Sequence, residues 1–169
     1  QTGAGLVFNV LKPESGESIV IFGAGGVGLS ALMAAKVCGC EPMIVVEPNP
    51  DRRALAIELG ATHVINPSEE ADIGARLTEL TGGRLLNAFD TSGIPTVIEG
   101  GIAALAPRGK IALVTGNALD AMLHLPLMSL MGRGIMLRGV SMGDSKPHSF
   151  IPMLVDLIMQ GLFPVEKLI

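Results

Sequence analysis

The chain has 169 residues, a net charge of −4 and a sequence pI near 5.3, so neither a strong basic face for nucleic acid nor a disordered, highly charged chain fits it. Hydrophobic residues reach 49% beside 22 glycines, and charged residues only 17% against about 25% in ordinary soluble domains. That excess leaves two classes open: a membrane segment, or a domain built on a parallel sheet buried on both faces. The one charge-free stretch of membrane-like length, 18 residues from Ser18 to Ala35, carries Gly23, Gly25, Gly26 and Gly28 at its centre. A spanning helix seldom tolerates such a cluster, and the buried-sheet class is preferred.

In chain order, residues 4–11 (AGLVFNVL) are apolar at helical spacing and Pro13 closes them. Ser18–Phe22 reads as a buried strand, followed by a glycine cluster and a helix over Leu29–Val37. Next come a strand at Pro42–Val46, a helix at Asp51–Leu59 and a short strand at His63–Ile65. A helix over about Glu69–Leu80 ends at Gly82-Gly83. Leu85–Phe89 is a fourth strand, Thr96–Leu105 a helix and Lys110–Val114 a fifth strand. Pro126 is expected to break any helix in Leu119–Met131, and Leu125–Met131 with Ile135–Leu137 is a candidate apolar hairpin. Ile135–Val140 gives a sixth strand and Phe150–Met159 a last helix, with a further strand beginning at Val165–Ile169. Strands alternating with helices of about ten residues mean βαβ units. The expected fold is α/β, a doubly wound six-stranded parallel sheet of the Rossmann dinucleotide-binding type, occupying residues 1–169 as one domain.

Gly23-Ala24-Gly25-Gly26-Val27-Gly28 fits G-x-G-x-x-G directly after a strand and at the opening of a helix. The first glycine permits a tight turn, the second lets backbone approach a pyrophosphate, and the third allows close helix–strand packing. The free N–H groups of the helix start face the anion. Glu47 ends the second strand, 19 residues after Gly28, near the spacing of about 20 at which an acid meets an adenosine ribose. A 2′-phosphate would meet like charge there, which favours NAD over NADP. Arg52 and Arg53 on the next helix could swing toward a 2′-phosphate, but Arg52 is assigned the edge of that ribose. Cys38 and Cys40, in C-x-C spacing, suit neither a disulfide nor a zinc site, and two reduced thiols fit a cytoplasmic protein. His63, His124 and His148 are scattered without ligand spacing. No nucleophile elbow or Walker lysine occurs. The chain opens on Gln1 without Met, the expectation being a piece excised from a longer polypeptide.

The run Gln1–Gly5 (QTGAG), Leu11–Pro13 (LKP), the glycine loop, Glu58–Asn66 (ELGATHVIN), Asp90–Gly93 (DTSG) and Leu137–Asp144 (LRGVSMGD) resembles the coenzyme-binding domain of zinc-dependent medium-chain alcohol dehydrogenases. Within that family the first and last of these runs are most similar to aryl- or benzyl-alcohol dehydrogenases. The resemblance implies that Gly23, Gly25, Gly26, Val27 and Gly28 hold the NAD pyrophosphate and Glu47 the ribose. Thr2 and Val27 would pack against the nicotinamide, backbone near Val114 and Val140–Met142 would bind its carboxamide, and Asp90 and Ser92 would line the cleft. It also implies a catalytic zinc, held by a Cys, a His and a further Cys or acid in a GroES-like domain absent from this chain. No catalytic or metal-binding residue is therefore expected here. An alcohol or aldehyde would be the second ligand, with no nucleic acid or membrane partner. The methionine-rich segment around 135–140 is expected to be a sheet edge that pairs with its two-fold mate in a homodimer, or in a tetramer of the intact enzyme. Two alternatives remain: a zinc-independent quinone or enoyl reductase using NADPH, and a non-redox Rossmann module binding S-adenosylmethionine.

Overall fold

A computed structural model describes residues 1–115 and 118–168. Its six strands are β1 (Ile19–Phe22), β2 (Met43–Val46), β3 (His63–Ile65), β4 (Leu85–Asp90), β5 (Leu105–Leu113) and β6 (Met136–Gly139). They form one sheet in the order β3-β2-β1-β4-β5-β6. Every pairing is parallel, so the sheet is the doubly wound one expected. The helices are α1 (Thr2–Gly5), α2 (Gly26–Val37), α3 (Pro50–Leu59), α4 (Ile73–Thr81), α5 (Pro95–Ala104), α6 (Leu127–Arg133) and α7 (Pro147–Met159). Among the described residues no helix is long and apolar enough to cross a membrane.

Alternation along the strands divides the core in two. Ile19, Ile21, Val45, Phe89 and Ala112 face a layer holding Leu6, Leu11, Leu32, Leu59 and Phe150. Val20, Phe22, Ile44, Ala88 and Ile111 face Leu77, Ile98 and Ile102. Burying each large apolar side chain contributes about 1.5–3 kcal/mol. Strands hydrophobic on both faces account for the composition.

Helix ends follow local chemistry. The Asn49 side chain accepts from the Asp51 and Arg52 N–H groups at 2.9 and 3.1 Å, Pro50 occupies the first turn, and Gly60 closes α3 at φ +116°. Asp72 caps α4 by accepting from Ala75 N–H at 2.9 Å, so that helix begins at Ile73 rather than near Glu69.

Three expectations need correction. Pro126 does not break a helix but immediately precedes α6, where a missing N–H leaves no bond unmade. The apolar hairpin does not form, because α6 leads into β6, which pairs parallel with β5. Val165–Leu168 is a 3-10 turn and not a strand. Its Val165 and Leu168 pack on the core cluster of α2, and Lys167 pairs with Glu58; Ile169 lies outside the described residues.

Candidate functional site

Register aligns the carboxyl ends of the strands. Phe22 stands opposite Val46 on one side and Asp90 on the other, Asp90 opposite Leu113, and Leu113 opposite Gly139. The strand order reverses between β1 and β4, which opens a crevice above their carboxyl ends.

The glycine loop starts at that point. Gly23 has φ +97°, and a Cβ on it would lie 2.3 Å from Thr91 Oγ1. A Cβ on Gly28 would lie 1.9 Å from the Gly23 carbonyl oxygen, so α2 can cross β1 this closely only without a side chain there. Nothing lies within 4 Å of a Cβ at Gly25 or Gly26. That is open room, with the first N–H groups of α2 at its floor. Val27, 38% exposed, projects at the start of α2. Thr91, not singled out from sequence, fixes the loop from the other side, its N–H and hydroxyl both donating to the Phe22 carbonyl at 2.9 Å.

Glu47 is only 4% exposed. Its Oε2 accepts from the Ala24 N–H at 2.7 Å and its Oε1 from the Asn49 N–H at 3.0 Å, tying the end of β2 to the glycine loop. A carboxylate has about four lone-pair directions, so two backbone donors leave capacity for hydroxyl donors. Arg53 grips the same turn, donating from Nη1 to the carbonyls of Glu47 and Pro48 at 2.8 and 2.7 Å. Arg52 is exposed beside it.

Asp90 is fully buried and builds the turn after β4. Its Oδ1 accepts from the Ser92 N–H and hydroxyl at 3.1 and 2.6 Å, and its Oδ2 from the Gly93 N–H at 2.9 Å. At the ends of β5 and β6, Val114 N–H donates to Asp90 and Val140 N–H to Leu113. Both N–H groups are therefore spent within the sheet, at the carboxyl ends that border the crevice.

Past Val140 the backbone turns through three successive left-handed residues, Met142 (φ +54°), Gly143 (φ +67°) and Asp144 (φ +46°). Two of the three are not glycine, and each such residue stores about 1–3 kcal/mol. Met142 is 59% exposed. Helix α1 continues as a π-helical turn over Leu6–Leu11 and joins this segment to the glycine loop. A Cβ on Gly3 would lie 1.9 Å from the Val27 carbonyl oxygen, and one on Gly5 2.6 Å from that of Gly143. Thr2 thus sits between the two, its carbonyl oxygen 2.5 Å from where a Gly143 Cβ would be.

The larger surface hollows lie elsewhere. One of about 500 Å3 is at the amino ends of the strands, lined by Glu14, Glu17, Glu41 and Arg84. Another of about 510 Å3 lies between α2, α3 and the C-terminal segment. A hollow of about 140 Å3 at the carboxyl ends is lined by Gly93, Ile98, Leu113, Thr115 and Met122. Among the described residues, backbone donors, the buried acid and the switch point converge at the glycine-loop crevice.

Among the described residues there is no group of three or more His, Cys, Asp or Glu that could hold a metal ion. Burial pushes both thiols up, Cys40 to about 12, so they stay protonated near neutral pH.

Comparison with known proteins bears on the family and the fold. The chain is 43% identical over all its 169 residues to a geraniol dehydrogenase of Castellaniella defragrans, spanning 45% of that relative's length. It superposes on the crystal structure of benzyl alcohol dehydrogenase from Acinetobacter calcoaceticus with a TM-score of 0.94 and 42% identity, covering 98% of this chain and 46% of that one. An alcohol dehydrogenase zinc-binding domain protein from Burkholderia ambifaria gives 0.93 and 44%, covering 98% of this chain and 45% of that one. The family model for zinc-binding dehydrogenases matches residues 26–160, from the first residue of α2 to just past α7. With the family model matching most of the chain and a relative 43% identical over its whole length, the chain belongs to the zinc-binding dehydrogenase family.

Proposed function

We propose that this chain is the NAD-binding domain of an alcohol dehydrogenase whose zinc ligands and most of whose substrate pocket lie outside it. The carrying observation is the Glu47 carboxylate, buried at the end of β2 and bonded to the glycine loop. Gly25 and Gly26 leave room for the pyrophosphate at the start of α2, and Glu47 accepts from the ribose hydroxyls, with Arg52 at the ribose edge. Val27 and Thr2 flank the nicotinamide. The carbonyls of Val114 and Val140 accept from the carboxamide NH2, and the N–H of Met142, first in its one-turn helix, donates to the carboxamide oxygen. Asp90 and Ser92 shape the cleft floor. NAD, when bound, accepts the hydride, and this chain's residues orient its ring for that transfer. Zinc, held by a catalytic domain outside the chain, would polarise the alcohol oxygen.

The names of two relatives, geraniol and benzyl alcohol dehydrogenase, suggest the substrate class. Both alcohols carry their carbinol carbon next to a π-system, and we infer an allylic or benzylic primary alcohol and its aldehyde. The test is a titration with NADH and NADPH. NADH binding should saturate, exceed NADPH binding at least tenfold, and fall at least tenfold in Glu47→Ala. Equal affinity for the two cofactors would point instead to an NADPH-linked reductase, and no binding at millimolar NADH would remove the reading.

The intact enzyme is read as a cytoplasmic homodimer. In support, β6 is an edge strand with Met136 and Leu137 exposed, and Leu127, Met128 and Met131 of α6 are exposed beside it. A second β6 pairing across a two-fold axis would cover that row. Leu137→Lys should then shift the sedimenting species from dimer to monomer; a wild-type chain that sediments as a monomer at high concentration overturns this part.

A further inference from the structure

The Met142–Asp144 turn is held in its conformation from far along the chain. Asn9, half-buried on the π-helical turn, donates from Nδ2 to the Gly143 carbonyl at 3.0 Å, and reaches the Asp144 carbonyl and Ser145 Oγ at 3.4 Å. Gly5, one helical turn earlier, packs against Gly143. On the turn's outer side Arg138 pairs with Asp144. The turn's own residues do not favour this shape, since Met142 and Asp144 both have positive φ. An amide with two N–H donors can hold two carbonyls of one turn at once, which no apolar side chain at that position could do.

We propose that Asn9 is a positioning residue for the nicotinamide end of the cofactor: its side-chain amide locks the Met142–Asp144 turn, and so fixes the spacing between the Met142 N–H and the Val140 carbonyl that grip the carboxamide. Asn9 reaches the ring only through the turn. This rests on the cofactor assignment above and adds to it a residue that pattern or spacing does not pick out. If the turn were free to relax, the pyrophosphate and adenosine contacts would be untouched, because the glycine loop and Glu47 are fixed independently by Thr91, Ala24 and Asn49.

The separation of the two ends supplies the test. The chain and its Asn9→Asp variant, which keeps the side chain's shape but removes its donors, are titrated with NADH and with ADP-ribose, which lacks the nicotinamide. Wild type should bind NADH more tightly than ADP-ribose. Asn9→Asp should lose about tenfold in NADH affinity while its ADP-ribose affinity stays within twofold. Asn9→Gln, which retains an amide donor, should recover part of the loss. Should Asn9→Asp not fold, Asn9→Ala reads the same ratio. A parallel fall in both affinities, no change in either, or a Gln variant no better than Ala overturns the inference while leaving the cofactor assignment standing. Wild type that binds neither ligand removes the cofactor assignment, and this inference with it.

Discussion

Two turns at the carboxyl edge of the sheet use left-handed backbone, and they obtain it in opposite ways. The glycine loop places Gly23 at φ +97° and Gly28 under the Gly23 carbonyl, so the residue with no Cβ sits wherever the chain needs one. The turn after β6 places Met142 and Asp144 at positive φ and relies on contacts from Asn9, Gly5 and Arg138 to keep them there. In the first, the segment's own glycines make the conformation free of strain, and Thr91 and Glu47 only hold it in place. In the second it is imposed by the surrounding structure, and the strain is offset elsewhere. A turn made strain-free by glycine fails when a side chain is added to it; an imposed turn fails when its support is removed.

Gly28→Ala tests the first case and should have the larger effect. The added Cβ meets a backbone oxygen at 1.9 Å, which neither α2 nor β1 can yield without moving. A loss of about 3 kcal/mol is expected from overpacking of this kind, read as a lower urea midpoint at unchanged m-value. A loss under about 1 kcal/mol would mean that the loop relaxes, and the contrast between the two turns would weaken. Met142→Gly tests the second from the opposite side. With the exposed side chain gone, the φ of +54° carries no Cβ penalty, and the relief should exceed the entropic cost of glycine by about 0.5 kcal/mol, raising the midpoint slightly. A clear fall in stability would show that the Met142 side chain, and not only its backbone, supports the turn.

The same contrast explains what could be read from the sequence. The βαβ order, the glycine loop and Glu47 were legible because each is a local pattern: alternation, a glycine spacing, an acid at a strand end. α6 was missed because Pro126 counts as a breaker inside a helix but not immediately before one. Val165–Leu168 carries a strand-like apolar pattern, yet that segment packs its side chains on α2 and closes as a 3-10 turn. Arg53, rather than its neighbour Arg52, holds the β2–α3 turn, a choice set by which side chain the helix directs toward the two carbonyls. Asn9 acts on residues 134 to 136 positions away, and no pattern along the chain announces such a partner.

Helix α1 has a further consequence. Gly3 presses on the start of α2 and Gly5 on the turn after β6, so one short rod with bare backbone at both contacts bridges the two walls of the crevice. Its two contact points act as a gauge block: the span between the walls is set by covalent geometry and not by a loop that must fold around a guest. On the proposed cofactor role, the crevice would lose little chain entropy when the cofactor arrives, because its walls are already spaced. The bare α-carbons of Gly3 and Gly5 thus set how closely the two walls can stand.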